Sequence, residues 1–235
     1  MSKGKTHVEI VPAVLPRSYD DLFKSIGRLT GLASVQVDIV DGVFAPNTTW
    51  PYKDQEHFES IVSGDEGMPG WEEFEFEFDL MLQSPKDEVL KYVHAGASRI
   101  VLHVGCDDLS QTLEVLREAR GGEFAIMVGL ALTADANPDA LEPYKDQFDF
   151  IQVMGIEKVG FQGQAFAKDA LTLIQKLKNQ YPTCHMQVDG GVSLETAPLL
   201  AKAGVERLIV GSAILKSDDP LQAFKAISRA ANSFF

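Results

Sequence analysis

The sequence predicts an α/β chain folded as a single (β/α)8 barrel, the TIM-barrel architecture, and three observations predict it. Eight short apolar, β-branched runs recur along all 235 residues, which leaves about 29 residues per strand–helix unit. Helical patterns of three- and four-residue spacing fill the intervals between the runs. Runs such as Arg99-Ile100-Val101-Leu102-His103-Val104 and Arg207-Leu208-Ile209-Val210 are almost unbroken, as strands of a parallel sheet covered on both faces must be. Eight such units favour a closed barrel over an open doubly wound sheet. The open sheet also calls for a glycine fingerprint after its first strand, and Pro12-Ala13-Val14-Leu15 stands there instead.

Taken in order, strands are expected over residues 7–11, 35–40, 75–81, 99–104, 124–132, 150–154, 185–189 and 207–210. Between them, Leu22, Phe23, Ile26 and Leu29 share one helical face, as do Leu109, Leu113 and Leu116, and then Ala170, Ile174 and Leu177. Ser84-Pro85 with Asp87 reads as an N-cap, a first-position proline and a first-turn carboxylate. Gly121-Gly122 and Gly204 are helix stops. Ser193 is placed to cap the helix carrying Leu199 and Leu200, and Asp218 or Asp219 the one that begins near Pro220. Residues 63–70 are the expected mobile loop, and with no linker or low-complexity tract the chain reads as one domain, 1–235.

Composition narrows the class of function. Apolar residues make up 45% and charged residues 23%, an ordinary globular balance that excludes collagen-like and disordered chains. No apolar run approaches the ~18 residues of a membrane-spanning helix. Lys and Arg number 21 against 34 Asp and Glu, a net charge of −13, which argues against nucleic-acid or anionic-membrane partners. An anionic ligand must then be held by backbone N–H groups. Met1-Ser2-Lys3-Gly4-Lys5-Thr6 has no apolar signal core, and the two cysteines, Cys106 and Cys184, suit a reducing compartment, so a cytoplasmic location is expected. Both thiols lack a local histidine or metal-type spacing and read as inert.

In barrels of this kind reactive groups stand at the C-terminal ends of strands. Strand alternation puts Gln36, Asp38 and Val40 on one face of the second strand. Asp79 ends the third strand region and Asp189 the seventh, so three acids fall in apolar strands where an unpaired carboxylate is costly. Asp41 before Gly42 reads as a turn residue, and His103 as a satisfied core or loop histidine. A second constellation suits anions. Gly190-Gly191 follows the seventh strand, Gly211-Ser212 the eighth, and both lead toward helices whose first N–H groups suit a phosphate. Gly160-Phe161-Gln162-Gly163-Gln164 can fold over the same ligand.

Together these motifs resemble the ribulose-phosphate 3-epimerase family. The likeness begins at Val11-Pro12-Ala13-Val14-Leu15 and runs through Val37-Asp38-Ile39-Val40-Asp41-Gly42-Val43-Phe44-Ala45-Pro46-Asn47. It continues in Asp79-Leu80-Met81, in residues 160–164, in Val188-Asp189-Gly190-Gly191-Val192 and in Gly211-Ser212-Ala213-Ile214. The resemblance implies a barrel enzyme, commonly a homo-oligomer, that inverts C3 of a small phosphorylated ketose. It implies Asp38 and Asp189 as the acid–base pair on opposite faces of the substrate, because inversion needs one group to remove a proton and another to return one. It implies phosphate on the N–H groups of Gly190, Gly191, Gly211 and Ser212, with Gly163 a further candidate, and Met81 and Met154 in the pocket lining. A proton beside a ketone is weakly acidic, so the enediolate needs electrostatic stabilisation, in this family from a metal held by two histidines and two aspartates.

The chain departs from that pattern at the metal. Gln36 stands where the first histidine belongs, Asp79 where the second does, and Ala13 replaces a serine close to the sugar. The remaining set, Asp38, Asp79, Asp189 and the Gln36 amide oxygen, is oxygen-only and suits Mg2+ or Mn2+ better than Zn2+. With no metal at all, the carboxylates would repel one another and at least one pKa should rise. Three readings follow: the isomerase, a lyase or aldolase working through a similar enediolate, and a phosphosugar-binding barrel without turnover. The lyase branch carries Asp-x-Lys-x-x-Asp on its third strand, and Asp79-Leu80-Met81-Leu82 lacks the lysine.

Overall fold

The computed structural model describes residues 7–122 and 124–233; the amino-terminal segment 1–6 lies outside them. Eight parallel strands follow one another around a closed barrel, the eighth pairing with the first. They are β1 (Glu9–Val14), β2 (Ser34–Val40), β3 (Glu75–Met81), β4 (Ala97–His103), β5 (Met127–Leu132), β6 (Phe150–Met154), β7 (His185–Asp189) and β8 (Arg207–Val210). The return segments carry α1 (Tyr19–Gly27), α2 (Phe58–Ser63), α3 (Val89–His94), α4 (Leu109–Arg120), α5 (Asp169–Gln180), α6 (Ala197–Lys202), α7 (Ser212–Leu215) and α8 (Pro220–Ala231). A 3-10 stretch, Pro138–Tyr144, lies between β5 and β6. Among the described residues no helix is long and apolar enough to cross a membrane.

Local chemistry sets the helix ends. The Ser18 hydroxyl accepts the Asp21 N–H at 3.2 Å and starts α1, which buries Leu22 and Ile26 against Val35, Val37 and Ile39 on the outer face of β2. Each such buried side chain contributes about 1.5–3 kcal/mol. Asp219, of the two acids proposed, caps α8 by accepting the Gln222 N–H at 2.9 Å. Gly121 terminates α4.

Some expected boundaries move, each for a physical reason. β1 begins at Glu9 rather than 7 and runs through Pro12 to Val14. Proline removes one ladder donor, but its fixed φ tolerates extended chain, and Ala13 and Val14 pair with Gln36 and Val37 beyond it. β4 begins at Ala97 and ends at His103, ahead of Gly105 with its φ of 120°. β5 starts only at Met127, where pairing with Arg99 begins; Phe124 packs edge-on against His94 instead. Ser84-Pro85 does not open α3 directly. A turn intervenes in which the N–H groups of Glu88 and Val89 both donate to the Pro85 carbonyl. The segment 63–70 is not a free loop, because Met68 is buried in the core and the Glu66 N–H donates to Ser60.

The barrel interior is more polar than the shell around it. Alongside Val11, Ala13, Val101, Ala131, Phe150 and Ile209, it buries Gln36, Asp38, Glu77, Asp79, His103, Gln152, Gln187, Asp189 and Arg207. Register explains the stacking: Asp38 pairs with Asp79 across β2 and β3, and Gln36 with Glu77 one step lower.

Candidate active site

A cavity of about 440 Å³ opens at the C-terminal ends of the strands, lined by Asp38, Met81, Met154, Gly163, Asp189, Gly190, Gly191, Gly211 and Ser212. Gln36 and Asp79 are not on its wall; both are wholly buried below it. The expected acids nevertheless converge. One oxygen from each of Asp38, Asp79 and Asp189 lies within 4.8 Å of the others.

Gln36 joins two of them. Its Nε2 donates to Asp38 Oδ1 at 2.8 Å and to Asp189 Oδ2 at 2.9 Å. The amide oxygen proposed from sequence as a metal ligand points elsewhere, because two carboxylates attract the N–H side of the amide. It is buried without a hydrogen-bond partner. Asp79 is held from the other side, by His103 Nε2 at 2.8 Å and Gln152 Nε2 at 3.0 Å. His103 is thus a satisfied buried histidine, and what satisfies it is one of the converging acids.

Burial first, and then the charge of Asp79, push the Asp38 carboxyl up to about 8, against the pull of hydrogen bonds from Gln36 and Gln162. Asp189 is raised well above the carboxylate range by burial and by the charges of Asp38 and Asp79. Carboxylates in such a place want a proton or a cation. Among the described residues, the basic side chain that touches any of the three is His103. The three converging carboxylate oxygens fit a divalent cation, and the unpartnered Gln36 amide oxygen, which faces away from them, would join only after the amide turns over.

The glycines after β7 both have positive φ, 94° at Gly190 and 68° at Gly191. A side chain at Gly190 would place Cβ 2.8 Å from Ile156, and at Gly191 2.7 Å from the Phe166 backbone. These glycines therefore make the turn and admit the β6–α5 loop while leaving main chain on the cavity wall. After β7 the expected helix is delayed: a Ser193–Thr196 turn, with Ser193 Oγ accepting the N–H groups of Glu195 and Thr196, precedes α6; after β8 the helix follows at once, since α7 opens at Ser212 next to Gly211, though it is a single turn. At the rim the N–H groups of Gly190 and Gly191 are loop amides, and that of Ser212 is the first of α7.

Three polar neighbours escaped the sequence reading as site residues. Gln162 Nε2 reaches in from the β6–α5 loop to the Ala13 carbonyl at 3.1 Å and Asp38 Oδ2 at 3.3 Å. Gln152 supports Asp79 from inside the barrel. Lys216 brings its ammonium to the edge of the rim, 3.3 Å from where a Cβ on Gly163 would lie. A parity signal existed for His103, which alternates with Arg99 and Val101 along β4; nothing in the run 160–164 distinguishes Gln162 from Gln164, which instead ties its own loop to Lys158 and Phe161. Asp41 is the turn residue expected, accepting the N–H groups of Val43, Phe44 and Gln83. Burial pushes both Cys106 and Cys184 up to about 11, which keeps them as thiols.

Residues 9–215 match the model of the ribulose-phosphate 3 epimerase family. The ribulose-phosphate 3-epimerase of Schizosaccharomyces pombe is 28% identical over 222 residues, 93% of this chain and 92% of the relative. Among solved structures, KGPDC from Streptococcus mutans superposes with a TM-score of 0.69 at 13% identity, over 97% of this chain and 99% of that one. The 3-hexulose-6-phosphate synthase of Salmonella typhimurium gives 0.64 at 16% identity, over 97% and 100%. At these identities the structural likeness is one of fold.

Proposed function

The chain belongs to the ribulose-phosphate 3-epimerase family, and from that premise we propose that it inverts a ketose phosphate at C3, with Asp38 and Asp189 passing the proton through an enediolate. The observation that carries the reading is the Gln36 bridge: one amide touches both carboxyl groups at the base of a cavity whose rim is glycine backbone. A phosphate seated on the N–H groups of Gly190, Gly191, Gly211 and Ser212, with Gly163 beside it, leaves the sugar's middle carbons over the acids.

Raised pKa values suit the task. Burial and the neighbouring charges favour a proton on the pair, so that with one proton shared one carboxyl acts as acid while the other acts as base, and which does which depends on the configuration at C3. Gln36 keeps both acids aimed at one place, and His103 with Gln152 fixes Asp79 behind them. Met81 and Met154 close the apolar side of the cavity and exclude water from the reacting carbon. The residues that would hold a metal are Asp38, Asp79 and Asp189, joined by Gln36 if its amide turns over; an oxygen-only set favours Mg2+ or Mn2+ over Zn2+. Such an ion would supply positive charge to the developing enediolate oxygens.

The test is solvent-deuterium incorporation at C3 of D-ribulose 5-phosphate or D-xylulose 5-phosphate. Exchange is expected, and Asp189→Asn should slow it by about 10²–10⁴-fold while phosphate still binds. No exchange across ketose phosphates and divalent metals would favour a binding protein that keeps the cradle without turnover.

A further inference from the structure

Gln162 takes no part in the proton transfer described above, yet it is the side chain that spans the cavity. The loop carrying it is pinned: Asn47 Nδ2 donates to the Gly160 carbonyl at 2.7 Å, and Gln164 ties the loop to the Lys158 carbonyl at 2.6 Å. From that fixed position the Gln162 amide meets Asp38 Oδ2, the carboxyl oxygen that Gln36 does not hold. The same amide lies flat on Gly211, where an added Cβ would come within 2.5 Å of Nε2 and 2.9 Å of Oε1. One amide therefore touches both the acid end and the phosphate end of the cavity. Strand β1 offers only the Ala13 methyl group and its carbonyl at this point.

A ketose 5-phosphate that reacts at C3 has a single carbon, C4, between the reacting centre and the phosphate-bearing carbon. We propose that Gln162 is a substrate-contacting specificity residue that reads the C4 hydroxyl; this rests on the epimerase reading for the identity of the reacting carbon. A hydroxyl both donates and accepts, and an amide presents one group of each kind. The substrate hydroxyl takes over the Nε2 donor from the Ala13 carbonyl, and the hydrogen bond is made only by ligands that extend past the phosphate.

Calorimetric titration tests it with three probes: D-ribulose 5-phosphate, its 4-deoxy analogue and inorganic phosphate. Gln162→Ala should weaken D-ribulose 5-phosphate by roughly tenfold, as loss of one hydrogen bond allows. Inorganic phosphate should bind as before, and the 4-deoxy analogue should bind both proteins alike. An unchanged or tighter affinity for D-ribulose 5-phosphate would mean that the side chain is only a plug, and an equal loss for inorganic phosphate would mean that it only props the cradle; either overturns the proposal. If the variant does not fold, the wild-type protein decides, since equal affinity for the sugar phosphate and its 4-deoxy analogue also overturns it. Absence of C3 exchange with the expected affinity pattern intact would sink the epimerase reading and leave Gln162 as a sugar-hydroxyl contact.

Discussion

At the floor of the barrel Glu77 faces Arg207 and Arg99, while at the mouth Asp38, Asp79 and Asp189 face one another. Both layers are buried, so both bear the cost of removing charge from water. The floor meets it with cations. Arg207 bonds Glu77 and Gln187 through Nη1 and Glu9 through Nε, and Arg99 approaches Glu77 at 2.8 Å while its guanidinium covers the Phe150 ring at 4.2 Å. At the mouth, among the described residues, no Lys or Arg meets the acids; side-chain amides and His103 orient them instead. Two glutamines link the layers: Gln187 donates to Glu77 and to Gln152, and Gln152 donates to Asp79. The contrast separates charge that holds the fold together from charge kept available for a proton or a cation.

Removing the floor's acid should have the largest effect on stability. Glu77→Ala leaves the buried Arg207 and the partly buried Arg99 without their shared carboxylate, so urea unfolding should show a loss of about 3–5 kcal/mol. A loss below ~1 kcal/mol would erase the distinction drawn between the layers.

The mouth should respond to pH in the opposite sense from an ordinary ion pair. Asp38 is raised from 3.8 to about 8, so the folded chain binds that proton more tightly than the unfolded chain does. Between those values the native state carries more protons, and raising the pH favours unfolding. Metal-free protein should therefore keep this contribution below pH ~4 and lose it as pH rises toward about 8. Mg2+ or Mn2+ should restore stability most at the alkaline end, measured as melting temperature against pH. Tight Zn2+ binding with little response to Mg2+ or Mn2+ would contradict an oxygen-only site.

Lys216 gives the smallest expected change. It lies at the edge of a rim built from backbone amides, so Lys216→Ala should weaken inorganic phosphate by only a few-fold, about 1 kcal/mol or less, and less still at high salt. A loss of several orders of magnitude would shift phosphate binding from the glycine backbone to this ammonium.

Much of this is legible in the sequence. Unbroken apolar runs gave the parallel barrel, because strands covered on both faces have nowhere to place polar residues except the interior and the ends. Strand alternation put Asp38 and Gln36 on one face, and the glycine turns after β7 and β8 fell at the cavity. Register and amide orientation were not legible. Nothing in Val35-Gln36-Val37-Asp38 says that Gln36 presents nitrogen rather than oxygen to the acids, since that choice is made by Asp189, 153 residues away. Gln162 was hidden for the same reason: its partners, Ala13 and Asp38, come from strands on the far side of the chain's order. That β1 runs on through Pro12 to Val14 is likewise a matter of its neighbours, since β2 and β8 on either side hold the segment.

The central claim is that carboxyl groups from β2 and β7 work from opposite faces of one carbon. It is tested most directly by running the reaction in D2O for less than one turnover and analysing both epimers. Two acids acting in turn predict a deuterium at C3 of the product and none in the recovered substrate. Equal labelling of both epimers, or product that retains the original hydrogen, would contradict it.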